Sequence, residues 1–236
     1  MAFDVYVGTM TRFYTRDWEN SGQKQSRLNG THYQMIYAGG DPGEPAPASE
    51  VHSVVESWRS GINQSLSTHN LGPIDWSEAD GQPYFTDRPG WQGYSALLLW
   101  AAYAQRPDRL PPYSPPESWI DDTTFQEVVE KEEALQFRPI LQASLWLPGD
   151  FRFCFKFPDL TRQEDVLIAS TGGLSQELAR LRTQELRWQR RSLLDRVRGK
   201  SKEESSFESA AHEGLAVFSA LADEATRSKL PMLLSF

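Results

Sequence analysis

The clearest periodic signal in the chain lies at residues 51–66. Val51, Val54, Val55, Trp58, Ile62 and Leu66 recur at spacings of three and four, which places them on one stripe of an amphipathic helix. Gly61 interrupts it at some cost in helix propensity. A second helix is expected from Gly90 to Gln105, where "YSALLLWAAYA" is apolar on all sides, the mark of a buried helix. Pro107 stops it, and "RLPPYSPPESW" reads as an irregular connector. Further helices are expected over 17–29, from Thr124 with Glu127 as a capping box, from about Leu174, and after Ser205 with Glu208 as another capping box.

Alternation marks the strands. "FDVYVGTMTRFY" at 3–14 and "FRFCFKF" at 151–157 alternate with period two. "THYQMIYA", "DVLIAS" and the terminal "LPMLLSF" read the same way. Strands at both ends and in the middle, separated by helices, predict a mixed α+β fold with one sheet and helices packed on it. The terminal strands are expected to pair, so residues 1–236 are read as a single globular domain.

One segment fits neither period. "GPIDWSEADGQPYFTDRPGW", residues 72–91, mixes acids, aromatics and three prolines. Structureless loops of this length are usually functional or disordered. Ile74, Trp76, Tyr84, Phe85 and Trp91 supply anchors against disorder, and "TDRPGW" reads as a tight turn in which Asp87 caps the next helix or pairs with Arg88. The acids Asp75, Glu78 and Asp80 are expected to face outward as a negative rim.

Charge sharpens the picture. The net charge is −8, yet nine bases stand against two acids between Arg180 and Lys202. That segment carries +7, leaving −15 elsewhere. At 100° per residue, Arg180, Arg187, Arg191 and Arg198 fall within about 40° of one another on a helix, a stripe suited to phosphate or carboxylate or to pairing with acids near Glu127–Glu133. The acidic total and the lack of a nucleic-acid-binding signature argue against RNA or DNA as the main partner.

Candidate chemistry is sparse. Cys154 is the only cysteine, and no histidine stands in a Cys-His pattern with it. The sequence has no G-x-S-x-G elbow and no H-E-x-x-H. Asp75, Glu78 and Asp80 lack EF-hand spacing, so neither metal nor cofactor is expected. Gly172 and Gly173 follow a strand and open a helix, but without a Walker lysine they read as a plain turn. No segment is apolar enough for a membrane span, and the N-terminus has no signal-peptide pattern. With a single cysteine, this predicts a cytoplasmic protein.

The stretches "FDVYVGTMTRFY" and "YFTDRPGWQGYSALLLWAAYA", with the terminal "LPMLLSF", resemble a set of uncharacterised bacterial proteins. In size, acidity and lack of catalytic motifs the chain is also similar in type to immunity proteins that neutralise polymorphic toxins. That likeness rests on no shared motif and implies no site residues.

The leading expectation is a protein-interaction module that docks a basic partner through an acidic, aromatic-rich surface of Asp75, Trp76, Glu78, Asp80, Tyr84, Asp87, Arg88 and Trp91. A secondary anionic-partner face would be Arg180, Arg187, Arg191 and Arg198. The alternatives are a hydrolase-like enzyme, with a small polar substrate held between the 72–91 loop and the 172–173 turn, and a nucleic-acid binder working through the arginine stripe.

Overall fold

The computed structural model describes residues 3–32, 46–112, 114, 116, 118–131, 136–160, 164–184 and 206–235. Among the described residues six strands form one mixed sheet: β1 (Asp4–Val7), β2 (Phe85–Asp87), β3 (Leu145–Leu147), β4 (Phe155–Pro158), β5 (Asp165–Ser170) and β6 (Met232–Ser235). Their order is β2-β1-β6-β3-β5-β4, and only β3 and β5 run parallel. Among the described residues eight α-helices accompany them: α1 (Met10–Thr15), α2 (Ser21–Asn29), α3 (Ala48–Thr68), α4 (Gly90–Ala104), α5 (Thr123–Glu130), α6 (Arg138–Leu141), α7 (Thr171–Arg182) and α8 (Ser206–Ser228). The expected α+β fold, helices packed on one sheet, is the one observed.

Period two along each strand divides the core into two layers. Val5, Val7, Trp146, Ala169, Met232 and Leu234 face α4–α8. Tyr6, Leu145, Leu147, Ile168 and Leu233 face the other way, toward α3, α1 and the 72–84 segment. The terminal strands pair as expected, Val5 opposite Leu234 and Val7 opposite Met232. The stripe on α3 also lies where its spacing put it, with Val51, Val55, Trp58, Ile62 and Leu66 buried, while Val54 is half exposed. Helix α4 is buried from Gly93 to Ala102.

Several expectations change. The strand at 3–14 ends at Val7, because Gly8 turns the chain and Thr9 caps α1 by accepting the Arg12 amide at 3.2 Å. Within 151–157 only residues from Phe155 join a ladder. The upstream phenylalanines keep their common face, with Phe151, Phe153 and Phe155 in successive ring contact, but the Phe151 carbonyl accepts the Ser170 hydroxyl. The 72–91 segment does contain a strand, β2, paired antiparallel with β1. Asp122, not Thr124, caps α5 by accepting the Phe125 amide at 2.9 Å. Helix α7 begins at Thr171, three residues early, and α2 begins at Ser21 behind an Asn20–Gln23 capping box. Strand β3 and helix α6 had no periodic signal, being three and four residues long. The strand expected at "THYQMIYA" lies, beyond Thr31 and His32, outside the described residues, as does Ser205 of the second capping box.

Candidate functional site

Along Ile74-Asp75-Trp76-Ser77-Glu78 burial alternates residue by residue, the pattern of a segment whose side chains point to opposite sides in turn. Ile74, Trp76 and Glu78 are buried, while Asp75 and Ser77 are exposed. Helix α3 holds this stretch by its side chains. Asn63 grips the main chain of Ile74 on both sides, donating to its carbonyl at 2.9 Å and accepting its amide at 2.8 Å. Arg59 donates to the Trp76 carbonyl and to Asp75 at 2.9 Å, and its guanidinium lies 5.2 Å from the Trp76 ring.

Glu78 does not face outward. It is 6% exposed, and its carboxylate sits at the N-terminus of α1. Oε1 accepts the Met10 amide at 3.0 Å, Oε2 accepts the Thr11 amide at 2.8 Å, and the Trp76 indole N–H donates to Oε1. The first amides of a helix have no partner within it, and a carboxylate there also meets the positive end of the helix dipole. The expected negative rim therefore loses its middle member to the interior. The five-residue alternation was the available signal: it puts Glu78 on the face of Ile74 and Trp76.

The remaining residues divide between anchoring and exposure. Arg12 donates to the Gln82 carbonyl at 2.6 Å and the Asp80 carbonyl at 2.9 Å, and stands 5.3 Å from the Tyr84 ring. Tyr84 is half-buried, and its hydroxyl accepts the Glu19 amide at 3.4 Å. Trp91 packs on Trp119 at 4.6 Å. Asp87 is exposed and neither caps α4 nor pairs with the Arg88 guanidinium; its carboxylate accepts the Arg88 amide at 2.8 Å. The Arg88 guanidinium pairs with buried Asp4 at 2.8 Å. Among the described residues, the carboxylates of Asp80 and Asp87 have no ion-pair partner, whereas that of Asp75 pairs with Arg59.

The arginine stripe is described only at Arg180. It is exposed on α7, 3.9 Å from Glu177 of the same helix and 5.7 Å from the Phe137 ring. Arg187, Arg191 and Arg198 lie outside the described residues. Of the acids near Glu127–Glu133 that it was expected to pair with, Glu127 is held by Arg106 and Arg109, each at 2.9 Å, and Glu132 and Glu133 lie outside the described residues. Hydrogen bonding from Arg109 lowers the Glu127 pKa.

The amides at the start of α7 are occupied. The Gly173 amide donates to the Ser170 hydroxyl at 2.8 Å and the Gly172 amide to the Gly149 carbonyl at 3.0 Å. Side chains at either glycine would collide with 149–151 or with Ser170, so these glycines serve close packing. Burial pushes the Cys154 thiol up to about 11, against the opposing pull of Arg138, which keeps it protonated and unreactive at neutral pH. A depression of about 400 Å³ lies beside β4 and β5, lined by Lys156, Asp159, Glu164 and Asp165 among others. Its lining includes no residue of 72–91 or 171–173, so it is not the pocket the enzyme alternative requires. Among the described residues no three His, Cys, Asp or Glu side chains are grouped to hold a metal ion, and no helix is long and apolar enough to cross a membrane. No family model, curated protein or solved structure matches the chain.

Proposed function

We propose that the chain is a cytoplasmic protein-interaction module that docks a basic partner, in the manner of an immunity protein binding a toxin domain. The observation that supports this reading is the fixed presentation of acids along 75–87. Ile74, Trp76 and Glu78 tie the segment down, while Asp80 and Asp87 project from it as exposed carboxylates. Asp75 joins them on the exposed side, partly neutralised by Arg59. Acids presented this way steer a cationic partner, and half-buried Tyr84 in the same segment adds aromatic contact area. The charge of −15 outside residues 180–202 acts in the same direction at longer range.

The test is a triple charge reversal, Asp75→Lys, Asp80→Lys and Asp87→Lys, which leaves Glu78 and the buried anchors intact. A basic protein captured from the cell extract by the native chain should bind the variant at least about tenfold more weakly at low salt, and the difference should shrink as salt rises. Equal binding by both proteins at every salt concentration would refute the acidic surface as the docking site.

A further inference from the structure

We propose that residues 72–84 form a hinged strap, latched by Glu78, that opens as a unit while the sheet beneath stays folded.

The first support is how the segment is attached. Its main chain makes no hydrogen bond to the main chain of another element among the described residues. The Gln82 amide turns back to Ala79 within the segment, and ladder pairing resumes only at Phe85. Every polar tie to the body runs through a side chain: Asn63 and Arg59 from α3, Arg12 from α1, Tyr84 to Glu19, and Glu78 to α1. Releasing these ties breaks no ladder and no helix.

The second support is the concentration of the ties. The Glu78 carboxylate alone closes three donors, the Met10 and Thr11 amides and the Trp76 indole. Two of these lie on α1 and one on the strap, so a single side chain joins both sides of the seam. Ile74 and Trp76 supply the apolar part, packed in the same core layer as Met10, Ile62 and Leu66. One turn precedes the segment and another lies within it, near its far end. Asn70 at the exit of α3 adopts a left-handed backbone, φ 58°, and Gly81 lies in the turn closed by the Ala79–Gln82 hydrogen bond. A cooperative segment with few main-chain bonds to its surroundings opens at lower free energy than the whole fold.

The Met10, Thr11 and Ile74 amides report the latch directly, because their hydrogen bonds are made to Glu78 and Asn63 across the seam. Native-state hydrogen exchange on the full chain, read residue by residue in a urea series below the unfolding midpoint, is the test. The three amides are expected to exchange through one common opening with a shallow urea dependence, since little surface is exposed. The β1–β6 ladder amides should exchange only with global unfolding. If Met10, Thr11 and Ile74 share the ladder's protection and urea slope, no strap opens and the proposal fails. Glu78→Gln keeps the shape of the latch but removes its charge and turns one acceptor oxygen into an NH2 donor, so a single acceptor faces the three donors. It should speed all three amides by about tenfold, the equivalent of one charge-assisted hydrogen bond, and leave the ladder unchanged. Acceleration at Met10 and Thr11 without Ile74 would show that Glu78 caps α1 without latching a unit. If the variant does not fold, the native urea series decides alone. These readouts involve no partner, so they stand apart from the docking reading.

Discussion

Arg88 reaches across from the end of β2 to Asp4 at the start of β1, with Nη2 2.8 Å from Oδ2. The Asp4 side chain is 6% exposed, and Oδ1 also accepts the Ser21 amide at the start of α2 at 3.3 Å. One buried carboxylate thus joins β1, the strand beside it and a helix. Removing a single partner of a buried ion pair leaves an uncompensated charge. Arg88→Ala should therefore cost about 3 kcal/mol in a urea unfolding experiment, and Arg88→Lys distinctly less, because a cation remains. Equal losses from both would mean that the guanidinium fork and its two bonds to Asp4, which lysine cannot reproduce, matter rather than the charge alone.

Helices α4 and α8 meet at a pair of glycines. A Cβ built on Gly214 would overlap the Gly93 carbonyl, and one on Gly93 would lie 3.3 Å from the Gly214 nitrogen. The obstacle is main chain, which cannot swing aside. Gly214→Ala should then force the helices apart and cost about 3 kcal/mol by overpacking, although alanine is the better helix former. Gly93→Ala, with its looser contact, should cost less. Thermal unfolding of the two variants gives the order directly, and a stabilised Gly214→Ala would contradict the close approach.

How much of this was legible depends on the range of the interaction. The α3 stripe, the buried α4 and the strands at 165–170 and 232–235 follow from local periodicity, and the structure keeps them. The N-terminal strand is shorter than its pattern predicts because Met10–Thr15, rich in β-branched and aromatic residues, folds as a helix; what decides it is a cap from Thr9 and a carboxylate from Glu78, 68 residues away. Thr124 with Glu127 imitates a capping box, yet Asp122 caps α5 and Glu127 is drawn to Arg106 and Arg109. In the candidate site, the exposure of Asp75 and Asp80 is legible from polarity, whereas Asp87, expected to cap α4 or pair with the Arg88 side chain, lies exposed and accepts the Arg88 amide instead. The burial of Glu78 is not legible, since a lone acid in a polar loop gives no sign of the helix end that will claim it. Alternation at 74–78 carried that information in a stretch too short to stand out.

Among the described residues four groups bear on behaviour at high pH. Burial raises the pKa of Cys154 from 9.0 to about 11, and burial raises those of Tyr6, Tyr94 and Tyr103 above the ordinary 10.0. For Tyr6 the nearby Arg12 opposes the rise and Glu78 adds to it. In each case the folded chain keeps its proton at a pH where the unfolded chain has lost it, so stability falls as pH increases. The loss should begin near pH 9, where the unfolded thiol ionises, and steepen above pH 10 as the tyrosines join. Unfolding midpoints in urea between pH 7 and 11 should trace that decline, with little change below pH 8.5 from these groups. Alkylation of Cys154 offers an independent check. At pH 8 the native thiol should react roughly a hundredfold more slowly than in urea, in line with a pKa about two units higher. Cys154→Ala should remove the early part of the decline and leave the tyrosine part. A midpoint that stays level from pH 9 to 11 would mean these groups ionise in the folded chain as they do in the unfolded one.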